Sequence, residues 1–148
     1  MTEQHVSTRE NTGARSTGAS AAGRIPRSTY RVQLNRGFTF RQAAEIVPYL
    51  RELGVGDLYA SPYLQARPGS VHGYDITDHA QLNREIGSDD DHAHLAGVLR
   101  EHGMGHLLDV VPNHMGIAGH TNPWWWDVLE GGPDSSHAHS RPVCVSAT

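Results

Sequence analysis

The sequence predicts an α/β fold carried on parallel strands. Three observations predict it. Short apolar runs alternate with segments of helical period, in the order strand, helix, strand, long loop, helix, strand. The run His106-Leu107-Leu108-Asp109-Val110-Val111 is almost continuously apolar, as a strand covered on both faces is. The polar residues with chemical capacity stand directly after the strands. Right-handed crossovers are expected between successive strands.

Each element has its own warrant. Residues 28–34 put Tyr30, Val32 and Leu34 on one face of a strand, which Gly37 ends. Thr39 caps a helix with Gln42 as its capping-box partner. Phe40, Ala43, Ala44, Val47, Leu50 and Leu53 follow at spacings of three and four. Pro48 should kink this helix, and Gly54 stops it. Residues 57–60 are a second short strand, ended by Ser61-Pro62. Residues 63–87 read as one long loop, a length that in a compact domain marks function or disorder. Ser88 caps the next helix, with Asp89, Asp90 and Asp91 in its first turn, where the helix dipole favours negative charge. Leu95, Val98 and Leu99 are its apolar face, and Gly103 ends it. The third strand leads straight into Pro112-Asn113-His114.

Composition bounds the function. The chain has 148 residues, so at most one domain is expected. Sixteen acidic residues face 12 basic ones, all Arg, for a net charge of −4. No basic field is present to draw in nucleic acid. No apolar run approaches the ~18 residues of a membrane span, and the N-terminus has no apolar signal core. The expected compartment is the cytoplasm, with neither nucleic acid nor membrane as partner. A single Cys, Cys144, excludes an internal disulfide framework and a Cys-based zinc site. Residues 1–27 hold almost nothing large and apolar, and read as a disordered tail that cannot offset its chain entropy. A transit peptide is the alternative there, and Glu3 and Glu10 argue against it. Residues 139–148 have no helical period and close no fold.

Eleven His residues invite a metal hypothesis. His92 and His94 do not share a helix face, and Gly103 and Gly105 interrupt His102 and His106. Solvated histidines are the expectation, with no metal site and no cofactor. Three segments are more informative. His72-Gly73-Tyr74-Asp75 offers a tyrosine with a flat apolar face and a hydroxyl, which suits the C–H faces and polar edges of a sugar; a Tyr packed on the fold is the structural alternative. Asp109-Val110-Val111-Pro112-Asn113-His114 sets a carboxylate in an apolar strand, where it needs partners, and two hydrogen-bonding side chains just beyond it. Asn122-Pro123-Trp124-Trp125-Trp126-Asp127 holds all three Trp consecutively. In a helix they would point about 100° apart, so at most one or two can be core.

Taken together, these segments resemble the alpha-amylase superfamily of barrel glycosidases, and within it the maltooligosyl trehalose synthases. Asp109 to His114 resembles the superfamily's first conserved region. The narrower likeness lies in Ser28-Thr-Tyr-Arg-Val-Gln-Leu-Asn35, Gly37-Phe-Thr-Phe40, Leu58-Tyr-Ala-Ser-Pro62, Ala66-Arg-Pro-Gly-Ser70, His72-Gly-Tyr-Asp75 and the Trp run. The resemblance implies the N-terminal part, about three β/α units, of a TIM-type barrel over residues 28–138. A whole barrel takes ~250 residues. It implies that Tyr74 stacks on the sugar at the cleavage site, with His114 hydrogen-bonded to the same sugar and His72 and Asp75 in the same binding loop. Asp109 would be structural, holding the centre in shape. Asn113 matches a residue that helps bind calcium in true amylases, and a synthase is not expected to need that ion. The substrate implied is a maltooligosaccharide or glycogen-derived α-1,4-glucan.

The resemblance also implies retaining chemistry, in which one carboxylate forms a covalent glycosyl intermediate and a second carboxyl serves as acid and then base. Those carboxyls come from later strands, so none is assigned to a residue here. Residues 139–148 do not match the family's continuation, and a frameshift, a truncated product or a fragmentary gene model is expected. The rivals are an amylase-type hydrolase sharing the first region and a stand-alone carbohydrate-binding module.

Overall fold

The computed structural model describes residues 25–139. The expectations for the tail 1–27 and for 139–148 lie outside the described residues, save for 25–27 and 139. The elements run β1 (Thr29–Val32), α1 (Phe40–Glu52), β2 (Asp57–Ala60), β3 (Leu64–Ala66), β4 (Ile76–Leu82), α2 (Asp89–Glu101), β5 (Gly105–Leu108) and α3 (Pro123–Gly131). A 3-10 turn, Gly132–Asp134, follows α3.

β1, β2 and β5 form a parallel sheet in that order. The register aligns Val32 with Ala60 and Leu108, and Tyr30 with Leu58 and His106. Side chains alternate across a sheet, so this set shares one face. The helices cover that face: Phe40, Ala43, Ala44, Val47 and Leu50 of α1 and Leu95 and Leu99 of α2 join Val32, Leu34, Leu58 and Ala60 in one buried core. Each fully buried Leu or Phe stabilises the fold by roughly 1.5–3 kcal/mol. The opposite face carries Arg31, Tyr59 and Leu107 in a single row. It is open: Leu107 is 37 % exposed.

Both helix caps stand as the spacing predicts. Thr39 accepts from the Gln42 N–H while the Gln42 side chain accepts from the Thr39 N–H, and Ser88 and Asp91 make the same reciprocal pair. α1 runs through Pro48 to Glu52 as one helix. The Asp91 carboxylate also meets Arg41 of α1 at 2.5 Å, so the α2 cap ties the two helices together.

The structure corrects the sequence reading in three places. The stretch 63–87 is not one loop: β3 and β4 pair antiparallel within it, with register shifts at Gln65. The pair is short and irregular, and Arg67-Pro68-Gly69 breaks the alternation that would announce it. β5 ends at Leu108 and is only partly buried, because helices cover one of its faces. His92 and His106 are not solvated. The His92 ring lies 5.3 Å from both Phe40 and Tyr63, and His106 lies 5.9 Å from His92. Burial, with the neighbouring His92 second, pushes the His106 pKa below that of free imidazole.

Thr39→Ala and Ser88→Ala should each lower stability by about 1 kcal/mol, read as the urea midpoint of the helical circular-dichroism signal. Asp91 adds a pH signature. Its hydrogen bonds from Ser88 hold the folded-state pKa below the ordinary carboxylate value. The stability this confers is complete above the unfolded carboxyl's pKa of ~3.9. It is lost as pH falls through the depressed folded value. Asp91→Asn should flatten that acid limb; an unchanged limb would remove Asp91 from the account.

Candidate functional site

The open face and the C-terminal ends of the parallel strands converge on Tyr74. Asp109 follows β5 directly and is fixed there by its N–H donating to the Ala60 carbonyl at 2.9 Å. The Tyr74 hydroxyl donates to Asp109 Oδ2 at 2.5 Å and accepts from Arg31 Nη2 at 3.2 Å. Arg31 also lies over the Tyr59 ring, 5.8 Å from its centre, within cation–π range. The hydrogen bond to Tyr74 raises the Arg31 pKa further. Burial, and then a hydrogen bond to Asp109, pushes the Tyr59 phenol above its ordinary value.

The loop that carries Tyr74 is closed by its own polar groups. Gly73 has φ +78°, and a Cβ there would stand 2.2 Å from the Pro62 carbonyl oxygen. Only glycine accommodates both the left-handed backbone and that approach. The Gly73 N–H donates to Ser70 Oγ at 3.1 Å, and the Ser70 hydroxyl donates to Asp75 Oδ1. Asp75 Oδ2 lies 3.4 Å from Arg67 Nε. The Tyr74 N–H donates to His72 Nδ1 at 3.0 Å. Glu85 accepts from the Gly69 N–H on the far side of the turn.

Beyond β5 the chain returns to this loop. His114 Nε2 lies 3.1 Å from the Tyr74 carbonyl, and its Nδ1 lies 3.0 Å from the side-chain oxygen position of Asn113. A carbonyl can only accept, so Nε2 donates to it. The Gly116 N–H donates to the Ile76 carbonyl at 2.7 Å, and Asn122 Nδ2 donates to the Gly116 carbonyl. Asn122 is fully buried, and its Oδ1 caps α3 by accepting from the Trp124 and Trp125 N–H groups. None of the three Trp is buried. Trp124 stacks on His137 at 4.8 Å and Trp126 on His120 at 3.9 Å.

Tyr74, Asp109, Asn113 and His114 therefore stand together, although 35 residues separate Tyr74 from Asp109. His72 is exposed beside them, and Asp75 is committed to Ser70 and Arg67. Sequence reasoning missed Arg31, Gln33 and Tyr59. The available signal was parity: in a strand with Tyr30, Val32 and Leu34 on the helix side, Arg31 and Gln33 take the other face.

Residues 39–136 match the model of the alpha-amylase catalytic domain. A protein of Mycobacterium tuberculosis strain H37Rv described as a putative maltooligosyl trehalose synthase is 46 % identical over 117 residues, 75 % of this chain and 15 % of that protein. An intracellular maltogenic amylase of Bacillus subtilis is 36 % identical over 100 residues, 64 % of this chain and 16 % of that protein. The solved maltooligosyltrehalose synthase of Arthrobacter ramosus superposes with a TM-score of 0.75 at 47 % identity, over 76 % of this chain and 15 % of its own. The chain thus spans about 15 % of the length of the synthases it matches. Its parallel strands and covering helices are the N-terminal part of an α/β barrel of the TIM type.

Alkaline titration tests the site's electrostatics. Tyr59 and Tyr63, the latter raised by burial, should form phenolate later than a free tyrosine with its pKa of ~10. Tyr59→Phe should delete one late component of the ultraviolet phenolate signal, and Asp109→Asn should bring that component partway back. A late component unaltered by Tyr59→Phe would disprove the assignment.

Proposed function

This chain belongs to the alpha-amylase catalytic-domain family, and we propose that residues 28–138 form about three of the eight β/α units of a maltooligosyl trehalose synthase barrel. The observation that carries an enzymatic reading is the cluster of Tyr74, Asp109 and His114 at the C-terminal ends of parallel strands, where α/β barrels place their chemistry. Identity favours a synthase over a hydrolase: 46 % and 47 % to the synthases against 36 % to the maltogenic amylase.

The reaction is the isomerisation of the terminal α-1,4 bond of a maltooligosaccharide to an α,α-1,1 bond. The retaining route needs two carboxyl groups, and no residue of this chain is assigned either role. What the chain supplies is one wall of the cleft. Tyr74 offers its ring face to the sugar at the cleavage site, and Asp109 and Arg31 hold its hydroxyl. His114 directs Nε2–H toward the Tyr74 carbonyl, where a sugar hydroxyl can share it. Asn113 orients the imidazole. His72 lies exposed beside the ring, and Asp75 keeps the loop closed behind it. The glucose released from the terminus stays in the cleft, and its anomeric hydroxyl attacks the glycosyl intermediate in place of water. The substrate is an α-1,4-glucan, and the reaction takes place in the cytoplasm without metal or cofactor.

A chimera tests this reading. Residues 28–138 replace their counterpart in the Arthrobacter ramosus synthase, and maltopentaose is the substrate. The chimera should make a trehalose-ended product, while the 148-residue chain alone should make none. Release of reducing sugar only would support a hydrolase. Binding of maltopentaose with no turnover in the chimera would support a binding module. In the active chimera, His114→Ala should cost roughly 1–3 kcal/mol of turnover through a lost hydrogen bond, and Tyr74→Ala should weaken the same site by removing the stacking face.

A further inference from the structure

We propose that Arg31 and Gln33 act as one positioning unit that sets the Tyr74 ring before substrate arrives. This rests on the synthase reading above and adds two residues to it. Both lie on the same face of β1 and its continuation, two residues apart, so the sheet rather than a loop fixes their origin. The guanidinium divides its two terminal nitrogens: Nη2 donates to the Tyr74 hydroxyl at 3.2 Å, and Nη1 donates to Gln33 Oε1 at 3.0 Å. Gln33 Nε2 then donates to the backbone carbonyls of Val71, at 3.3 Å, and His72, at 3.1 Å. One planar fork therefore grips the loop at the tip of the tyrosine and at the backbone just before Gly73.

The geometry suits positioning rather than catalysis. The Tyr74 hydroxyl has one proton, given to Asp109, and accepts from Arg31, so it is held from two sides. The ring also stacks with the exposed His72 imidazole, 6.0 Å between centroids. A stacking platform works only if the ring does not swing, and restraint made in the empty site need not be made on binding. Lysine could replace one arm of the fork but not both, because an ammonium lacks the planar pair of donors. Arg31 is exposed, so its removal leaves the buried core intact.

Two measurements test the unit. In the 148-residue chain, Arg31→Met and Gln33→Leu should speed chymotryptic cleavage after Tyr74 by about tenfold, the size of one lost charge-assisted hydrogen bond. Cleavage after Tyr49, exposed on α1, is the internal reference and should not change. In the chimera, Arg31→Met and Tyr74→Phe should each lower turnover of maltopentaose by about tenfold, and the double variant should fall no further, since both cut the same link. Arg31→Lys should recover part of the loss. Unchanged cleavage after Tyr74 overturns the proposal, as do losses that multiply in the double variant or full turnover by Arg31→Met. If the unsubstituted chimera only releases reducing sugar, the synthase reading fails and the Arg31 series is scored on that cleavage. If the chimera makes the trehalose-ended product and Arg31→Met equals it, the positioning unit alone fails. If it turns nothing over, the proteolysis decides the unit by itself.

Discussion

The parallel register of β1, β2 and β5 is the constraint on which everything else in this molecule depends. A period of two separates the side chains into two sets, and the register brings like sets together across the strands. Val32, Leu58, Ala60 and Leu108 go under the helices, while Arg31, Tyr59 and Leu107 form a row on the other side. A slip of one residue in β1 would put Arg31 into the apolar core and Val32 on the open face. The same register carries Asp109 just past the sheet, where the Tyr74 hydroxyl reaches it. Core and site are thus two faces of one pairing scheme.

The loop that delivers Tyr74 has no apolar core of its own and is held by polar closure. Ser70, Asp75, Arg67, Glu85, Arg31 of β1 and Gln33 just after it take up its donors and acceptors. Its contact with Pro62 requires Gly73, whose missing side chain lets two backbones meet. Individual hydrogen bonds of this kind contribute only about 0.5–1.5 kcal/mol net, somewhat more where a charge takes part. Their number makes a surface segment hold one shape.

Legibility in the sequence followed the strength of the local signal. The α1 face, the Thr39 capping box, the Ser88 cap and β2 were legible because period and caps agree at every position. Tyr74, Asp109, Asn113 and His114 were legible as residue types in suggestive places, and their convergence was not, because it depends on the path of a long connection. The β3–β4 pair escaped notice because three residues of β3 and a Pro-Gly turn give too little alternation to read. Arg31 escaped for another reason: an Arg on the polar side of a strand looks solvated until its partner, 43 residues away, is known.

The histidines show how far composition alone can mislead about chemistry. Eleven in one chain suggest a metal or a solvated surface, and the structure puts them to unlike uses. His92 and His106 serve as aromatic packing between α2 and the sheet, set edge-on or tilted against Phe40 and Tyr63. Burial accordingly holds the His106 pKa below that of free imidazole. His120 and His137 cover the faces of Trp126 and Trp124. His114 faces the Tyr74 loop from beyond β5, with both ring nitrogens engaged by Asn113 and the Tyr74 carbonyl. The distinction lies in what surrounds each ring: two or three aromatic neighbours turn an imidazole into filler, a carbonyl and an amide turn it into an oriented donor. Only the fold decides which surroundings each histidine receives, so the contacts of His114 rest on the return of the chain after β5 and not on the count.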